Sequence, residues 1–409
     1  MIKKHDSKHR RVVVTGLGVI SSIGIGWEEF WKNLIAGKSG ISSVTLFDTK
    51  DYERHLAGEV KNFEPSKFVS KNLWKFIGRT SQMLIAASKL ALKDARFPIK
   101  NLNSSKVSVC VGTTTGEIGI LEKFNNLSIK QQSGIENKRL ISLFPSNSLS
   151  SNIALELKIS GQNCIFATAC ASGNYSLGYA YDLIRSGKVN YALAGGGDGL
   201  SRIVFTGFNR LIAIAPEKCQ PFDKKRKGMI PGEGAGILFL ESLEEAKHRN
   251  AHIYAEILGY GLSCDGTHMT NPSVKGISMA IKRAIKEANV ETGDIDFINA
   301  HGTGTIENDK AESAAISKLF GREVPVSSIK SMLGHTMGAA SALEAISCCL
   351  TLQYQQLPPT INYEIPDLEC AINCVANFSR FCKVNLVLNN SQAFGGNNAG
   401  LIFSRLQNQ

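Results

Sequence analysis

The stretch from Gln162 to Lys188 constrains the fold of this chain more than any other. An apolar run, NCIF, leads into a cluster of small residues, ATACASG, and then into NYSLGYAYDLIRSGK, where apolar residues recur at helical spacing up to Gly187. A buried strand that turns sharply into a helix needs helices packed on its sheet, which is the pattern of an α/β fold. The same alternation recurs on both sides. Residues 11–20 read as a strand, GWEEFWKNLIAG as a helix closing on Gly37 at C′, residues 79–95 and 148–158 as helices, and KVSVCVGTTTG and YALAGGGDG as strands running into small-residue turns. Beyond residue 250, AHIYAEILGYGLSCDG and DIDFINAHGTGT read as strands, and GISMAIKRAIKEANV and SALEAISCCLTLQYQQ as helices. Both halves, 1–249 and 250–409, show the same strand–helix alternation, which suggests a duplicated α/β architecture, although no clean sequence repeat links them.

Composition narrows the function classes. Hydrophobic residues at 43% and charged residues at 20% suit a globular protein, and the formal charge of +11 favours an acidic partner. The basic residues are spread out, with short clusters at Lys3-Lys4 and Lys224–Lys227, and neither carries the interleaved aromatics of a nucleic-acid platform. No nucleic acid is expected. The ten cysteines are scattered without paired CxxC spacing, so a reducing cytoplasm and no metal site are expected, with Cys348, Cys349, Cys370, Cys374 and Cys382 as small buried hydrophobes. The run after Arg10-Arg11 imitates a signal sequence but is broken by glycines and rich in β-branched residues, and no segment reaches the roughly eighteen apolar residues of a membrane span.

Cys170 is the leading candidate for chemistry. Ala169, Ala171, Ser172 and Gly173 around it allow a sharp turn and close approach of a substrate. A helix N-terminus there would favour thiolate over thiol. His301, in INAHGTGT, and His335, in SIKSMLGH, both fall where a strand runs into a glycine-containing loop, the position at which open α/β sheets bind ligands. Two neutral imidazoles opposite one thiolate suit a reaction that passes through an enolate, because their N–H groups donate without adding charge. Lys330 and Glu344 form an ionisable pair nearby in sequence, readable as an orienting salt bridge and compatible with a place in the site. The segment FGGNNAG, from Phe394, could turn backbone N–H groups toward an oxyanion or could simply join two strands. GLG at 16–18 is a poor dinucleotide fingerprint.

Together these residues resemble the β-ketoacyl-acyl carrier protein synthase I/II family of the thiolase superfamily. The likeness runs through RVVVTGLGVISSIG, FDKKRKGMIPGEGAG, NAHGTGTIENDKAE, SIKSMLGHTMGAASALEA and FGGNN, in the family's order and over nearly the whole chain. It implies a five-layer αβαβα fold of two pseudo-repeated halves. It implies Cys170 as the acylated nucleophile and His301 and His335 as its partners in decarboxylation and condensation, supported by Lys330 and Glu344. By the same resemblance, the backbone N–H groups of Cys170 and Phe394 form an oxyanion hole, with Phe394 as a gate. Thr303 and Thr305 meet a phosphopantetheine arm, and Asp309 and Glu312 are structural acids. No cofactor is implied beyond the arm of an acyl carrier protein, whose acidic surface Lys67, Lys71, Arg210 and the 224–227 cluster could receive. A homodimer or a heterodimer with a ketosynthase-like subunit is implied as well.

The chain departs from the family pattern at Gln392-Ala393, where Phe-Gly is usual, and in the polar loop 112–116, where a larger apolar residue often lines the acyl pocket. Both departures point to a type II polyketide or polyene pathway. The rival reading is a chain-length-factor-like partner with a mainly structural role. A degradative thiolase would need a second cysteine beside FGGNN, and none is there.

Overall fold

The computed structural model describes residues 9–102, 106–130 and 140–406, so the Lys3-Lys4 cluster lies outside the described residues. Ten principal strands carry the architecture. The first five are β1 (Val12–Ser21), β2 (Val107–Gly112), β3 (Asn163–Phe166), β4 (Tyr191–Asp198) and β5 (Gly234–Ser242). The second five are β6 (Ala255–Cys264), β7 (Phe297–Asn299), β8 (Pro325–Ser327), β9 (Leu386–Gln392) and β10 (Asn397–Ser404).

In space the first set runs β3-β2-β4-β5-β1 and the second β8-β7-β9-β10-β6. The order is the same, each number raised by five. The directions repeat too: β3, β2 and β4 are parallel, as are β8, β7 and β9, while β5 and β10 run antiparallel to both neighbours. Val12–Val14 of β1 pairs antiparallel with Ala255–Ile257 of β6 and joins the two sets. The duplication is thus plain in strand order where no sequence repeat is visible.

Strands β2, β4, β7 and β9 are buried along nearly their whole length, as expected of parallel strands covered on both faces, whereas the edge strand β3 is exposed or half-buried. Helices α1 (Arg79–Asp94), α2 (Ser172–Arg185), α3 (Val274–Ala288), α4 (Ile306–Phe320) and α5 (Ala340–Tyr354) provide the cover. α1 packs on β1 and β5 from outside, and α3 packs on β6 and β10 from the opposite outer side. α2 and α5 lie between the sheets, with α2 on β2 and β4 and α5 on both β5 and β9. Outer helices, sheet, inner helices, sheet and outer helices make the five αβαβα layers. α5 is buried from Ala340 to Leu352, including Cys348 and Cys349, so its apolar character all round is that of a central-layer helix.

The local expectations largely match these bounds. The helix after β1 spans Trp27–Ile35, and Gly37 takes a φ of 66° as its left-handed terminator. Among the described residues no helix is long and apolar enough to cross a membrane. Of the cysteines expected to be buried, Cys370 is, whereas Cys374 and Cys382 are half-buried, and all ten cysteines are free.

Candidate active site

Cys170 sits in a single 3-10 turn, Ala169–Ala171, between β3 and the first residue of α2. The turn is tight. Ala169 adopts a φ of 49°, a left-handed conformation that costs a non-glycine residue roughly 1–2 kcal/mol and persists only where surroundings enforce it. The Ser172 hydroxyl provides part of that enforcement: it accepts from the Thr168 N–H at 2.9 Å and lies 2.6 Å from the Ala169 carbonyl and 2.9 Å from that of Thr113. A side chain at Gly112 would put its Cβ 2.3 Å from the Ser172 carbonyl carbon, and one at Gly173 would sit 2.7 Å from the Ala342 nitrogen. The small residues around Cys170 therefore let β2 and α5 close on the turn.

His301 follows β7, and its N–H and that of Gly302 each donate to the buried Glu312 carboxylate at 2.8 Å. His335 lies between the short helix Lys330–Leu333 and the turn that opens α5, tied by its N–H to the Ile230 carbonyl at 2.6 Å and by its carbonyl to the Gly232 N–H at 2.8 Å. The two rings meet edge to face with centroids 5.4 Å apart. Both Nδ1 atoms are engaged: the Lys330 ammonium lies 3.2 Å from that of His301, and the Met337 N–H donates to that of His335 at 3.2 Å. An acceptor Nδ1 places the ring proton on Nε2, so each imidazole is a donor at its other end.

Electrostatics agree with neutral rings. Burial holds both histidines well below 6.5, Lys330 pushes in the same direction, and His335 adds to the effect on His301. Lys330 and Glu344, both fully buried, form an ion pair, and Lys330 also donates to the His301 carbonyl at 2.6 Å. Burial raises the Glu344 carboxyl despite the opposing charge of Lys330. Cys170 differs from expectation. It does lie at a helix N-terminus, yet burial pushes its thiol up to about 12, with Lys330 the main opposing influence and Asp198 adding to the rise. The helix end alone does not make a resting thiolate here, because desolvation outweighs it.

Cys170, His301, His335, Thr303, Thr305 and Phe394 line one cavity of about 60 Å³. Thr303 and Thr305 hydroxyls are 2.8 Å apart. Phe394 is 40% exposed on the β9–β10 connection, edging Phe208 at 6.2 Å between centroids, and among the described residues its N–H has no hydrogen-bond partner. Gly395 and Gly396, with φ of 85° and 80°, turn the chain there, so FGGNN is both a strand-to-strand turn and part of the cavity wall. Lys330 and Glu344 stand behind His301. Asp309 accepts from the Phe222 and Gly304 N–H groups at 2.8 and 3.2 Å, bracing the 302–305 loop. Among the described residues no cluster of three or more His, Cys, Asp or Glu side chains could hold a metal ion.

One expectation changes. Arg226 is not part of an exposed basic cluster: it is 5% exposed and bonded to Asp367, while Lys224, Lys225 and Lys227 face solvent. The polar loop 112–116 is held together by one buried acid. The Thr113 and Thr115 hydroxyls and the Thr114 and Thr115 N–H groups all converge on buried Asp198, at 2.6 to 3.0 Å, and the Gly338 N–H joins them at 2.6 Å. Asp198 was missed. An acid closing the apolar strand YALAGGGD was the available signal, since a buried carboxylate demands donors. Gln392, Met229 and the 268–272 segment also line the cavity without having been singled out for it.

Residues 9–246 match the N-terminal domain of β-ketoacyl synthases, and residues 254–364 match the C-terminal domain. The chain belongs to the β-ketoacyl synthase family. It is 35% identical to a 3-oxoacyl-[acyl-carrier-protein] synthase 2 of Synechocystis over 97% of this chain and 99% of the relative. It is 37% identical to the synthase of that name from Coxiella burnetii, again over 97% and 99%. Among solved structures, a chain of the ishigamide ketosynthase/chain length factor superposes with a TM-score of 0.95 at 45% identity, covering 98% of this chain and all of that one. The ketosynthase family fold is thereby matched from end to end.

Proposed function

We propose that this protein is a β-ketoacyl-acyl carrier protein synthase that joins an acyl group carried on Cys170 to malonyl-carrier protein with loss of carbon dioxide. One observation carries the reading: a thiol at a helix N-terminus shares its cavity with two neutral imidazoles whose Nδ1 atoms are already engaged. Such rings donate from Nε2 and do not act as bases there.

Cys170 attacks the carbonyl of an acyl-carrier thioester, and the phosphopantetheine thiol leaves. Malonyl-carrier protein then enters past Thr303 and Thr305. The bond from its central carbon to the carboxylate breaks, carbon dioxide departs, and the electron pair forms an enolate whose oxygen accepts from His301 and His335. The enolate carbon attacks the Cys170 thioester while the Cys170 and Phe394 N–H groups stabilise the developing oxyanion, and collapse expels the Cys170 thiolate and the β-ketoacyl product. Lys330 and Glu344 position His301.

The phosphopantetheine arm arrives with the carrier, and no other cofactor is required. Identity to the ishigamide ketosynthase/chain length factor, at 45%, exceeds the 35 and 37% to the synthase 2 relatives, which supports a type II polyketide or polyene role over housekeeping fatty-acid synthesis. Another similar structure, 30% identical over 98% of this chain, is titled as a type II polyketide acyl-carrier protein in complex with its ketosynthase. We assign the nucleophile to half 1–249, both histidines to half 250–409, and the working form to a homodimer or a heterodimer with a ketosynthase-like subunit in the cytoplasm. Strand β3, at the sheet edge, is an available seam for that partner. Lys71, Arg210 and the exposed lysines 224, 225 and 227 suit an acidic carrier.

A chain-length-factor-like structural role is the second reading, favoured only by the likeness to ketosynthase/chain length factor structures. Intact mass spectrometry with a panel of acyl-carrier proteins, comparing wild type with Cys170→Ala and then adding malonyl-carrier protein, separates the two. A Cys170-dependent acyl adduct discharged as β-ketoacyl product supports the synthase. No adduct with any carrier, even with candidate partner subunits present, sinks it.

A further inference from the structure

Gln392 ends β9, is 2% exposed and lines the cavity that holds Cys170, His301 and His335. Neither its Nε2 nor its Oε1 has a hydrogen-bond partner among the described residues. A buried primary amide with both ends unmet is costly, and the family pattern places an apolar side chain at this point of the chain. Alternation along β9 says which way the amide faces. The Ser391 hydroxyl accepts from Asn174 of α2, the nucleophile's helix, at 3.0 Å. Asn390 points the other way, donating at 2.7 Å to Glu312, the carboxylate that holds the His301 backbone. Side chains two apart on a strand share a face, so Gln392 lies on the His301 side and away from the helix that carries the acyl group.

We infer that Gln392 Nε2 donates a hydrogen bond to the carboxylate of the malonyl extender, making it a binding residue that selects a carboxylated extender. The inference rests on the condensation reading above. In that reaction the thioester oxygen of the malonyl unit lies against the two imidazoles, and its carboxylate is two carbons from that carbonyl, on the same side of the cavity. The carboxylate loses its charge as the carbon–carbon bond breaks and carbon dioxide forms. A hydrogen bond to it is therefore stronger in the bound state than in the transition state and acts on KM rather than on kcat.

The test is Gln392→Met, which keeps length and removes both polar atoms. The KM for malonyl-carrier protein is expected to rise about tenfold or more with kcat unchanged or higher, given what a hydrogen bond to a charged group contributes. Single-turnover acylation of Cys170 should stay within about twofold, and the unfolding temperature should not fall, because no protein partner is lost. Gln392→Glu provides a second variant: its like charge should raise the malonyl KM further. An unchanged malonyl KM in both variants, or a lowered unfolding temperature in Gln392→Met, overturns the inference. So does a loss confined to acylation, which would place the amide on the acyl chain. If wild type forms no acyl adduct on Cys170, the synthase reading itself fails; if wild type turns over and only these expectations fail, the inference alone is lost.

Discussion

The Lys330 ammonium grips His301 twice, lying 3.2 Å from its Nδ1 and 2.6 Å from its carbonyl oxygen, while Glu344 balances the charge from the next helix. One buried cation thus fixes the tautomer, the ring plane and the backbone of the same histidine. Replacing Lys330 by Met should cut condensation at least about 100-fold, the scale at which misplaced transition-state donors are felt. It also leaves Glu344 buried without its partner, costing about 3–5 kcal/mol. Lys330→Met/Glu344→Gln should recover much of that stability and none of the activity. Denaturant titration and steady-state turnover on the three variants check this, and recovery of activity in the double variant would contradict the positioning role.

Glu312 supplies a pH signature of folding. Burial raises its carboxyl from 4.5 to about 7, so between those values the folded protein holds a proton that the unfolded chain has released. Stability contributed by this group therefore grows as pH falls from above 7 toward 4.5. Wild type should gain on Glu312→Gln across that window when unfolding temperatures are compared from pH 8 to pH 5. A difference that is flat or of opposite slope would show that the carboxyl stays ionised.

His301 and His335 act in the opposite sense. Their folded values lie well below 6.5, so the unfolded chain binds the protons and stability drains away as pH falls below 6.5. A His335→Gln variant should be less acid-sensitive than wild type below that pH. Turnover limited by condensation should be insensitive to histidine protonation between pH 7 and 8.

Acylation should behave differently from condensation. With the Cys170 thiol pushed up to about 12, thiolate is scarce at neutral pH, and its fraction rises roughly tenfold per pH unit. Single-turnover acyl transfer to Cys170 should accelerate from pH 6.5 to 8.5, and Lys330→Met, which removes the main opposing charge, should slow it at every pH. A pH-independent rate would place proton removal after carrier binding.

Asp198 gathers donors from two loops, 113–115 and 337–338, at one buried carboxylate. Asp198→Ala strands several of them and should cost about 3 kcal/mol or more, whereas Asp198→Asn retains acceptor capacity at one oxygen and should cost less. Urea unfolding of the two variants gives the comparison.

The parts of the site legible in sequence are those that advertise themselves locally. Cys170 is flanked by small residues, and His301 and His335 stand at strand ends beside glycine. Lys330 and Glu344 were legible only as a pair, since nothing local tells that the ammonium points at His301. What stayed hidden depends on partners far along the chain: Asp198 meets Thr113 and Gly338, and Arg226 is drawn inward by Asp309 and Asp367. A run of basic letters cannot show that one of them has buried counter-ions. Alternation of strands and helices predicted two α/β halves, but the shared strand order appears only in space, because periodicity carries no information about which strands are neighbours.

That shared order has a consequence for how the protein can vary. Cys170 lies in one repeat and both imidazoles lie in the other, so two copies of a single strand plan each hold part of one site. Turnover is thus a sensitive gauge of how the copies seat against each other: a bulkier residue at Gly173, where α2 meets α5, should silence the reaction by parting the halves before it unfolds either one.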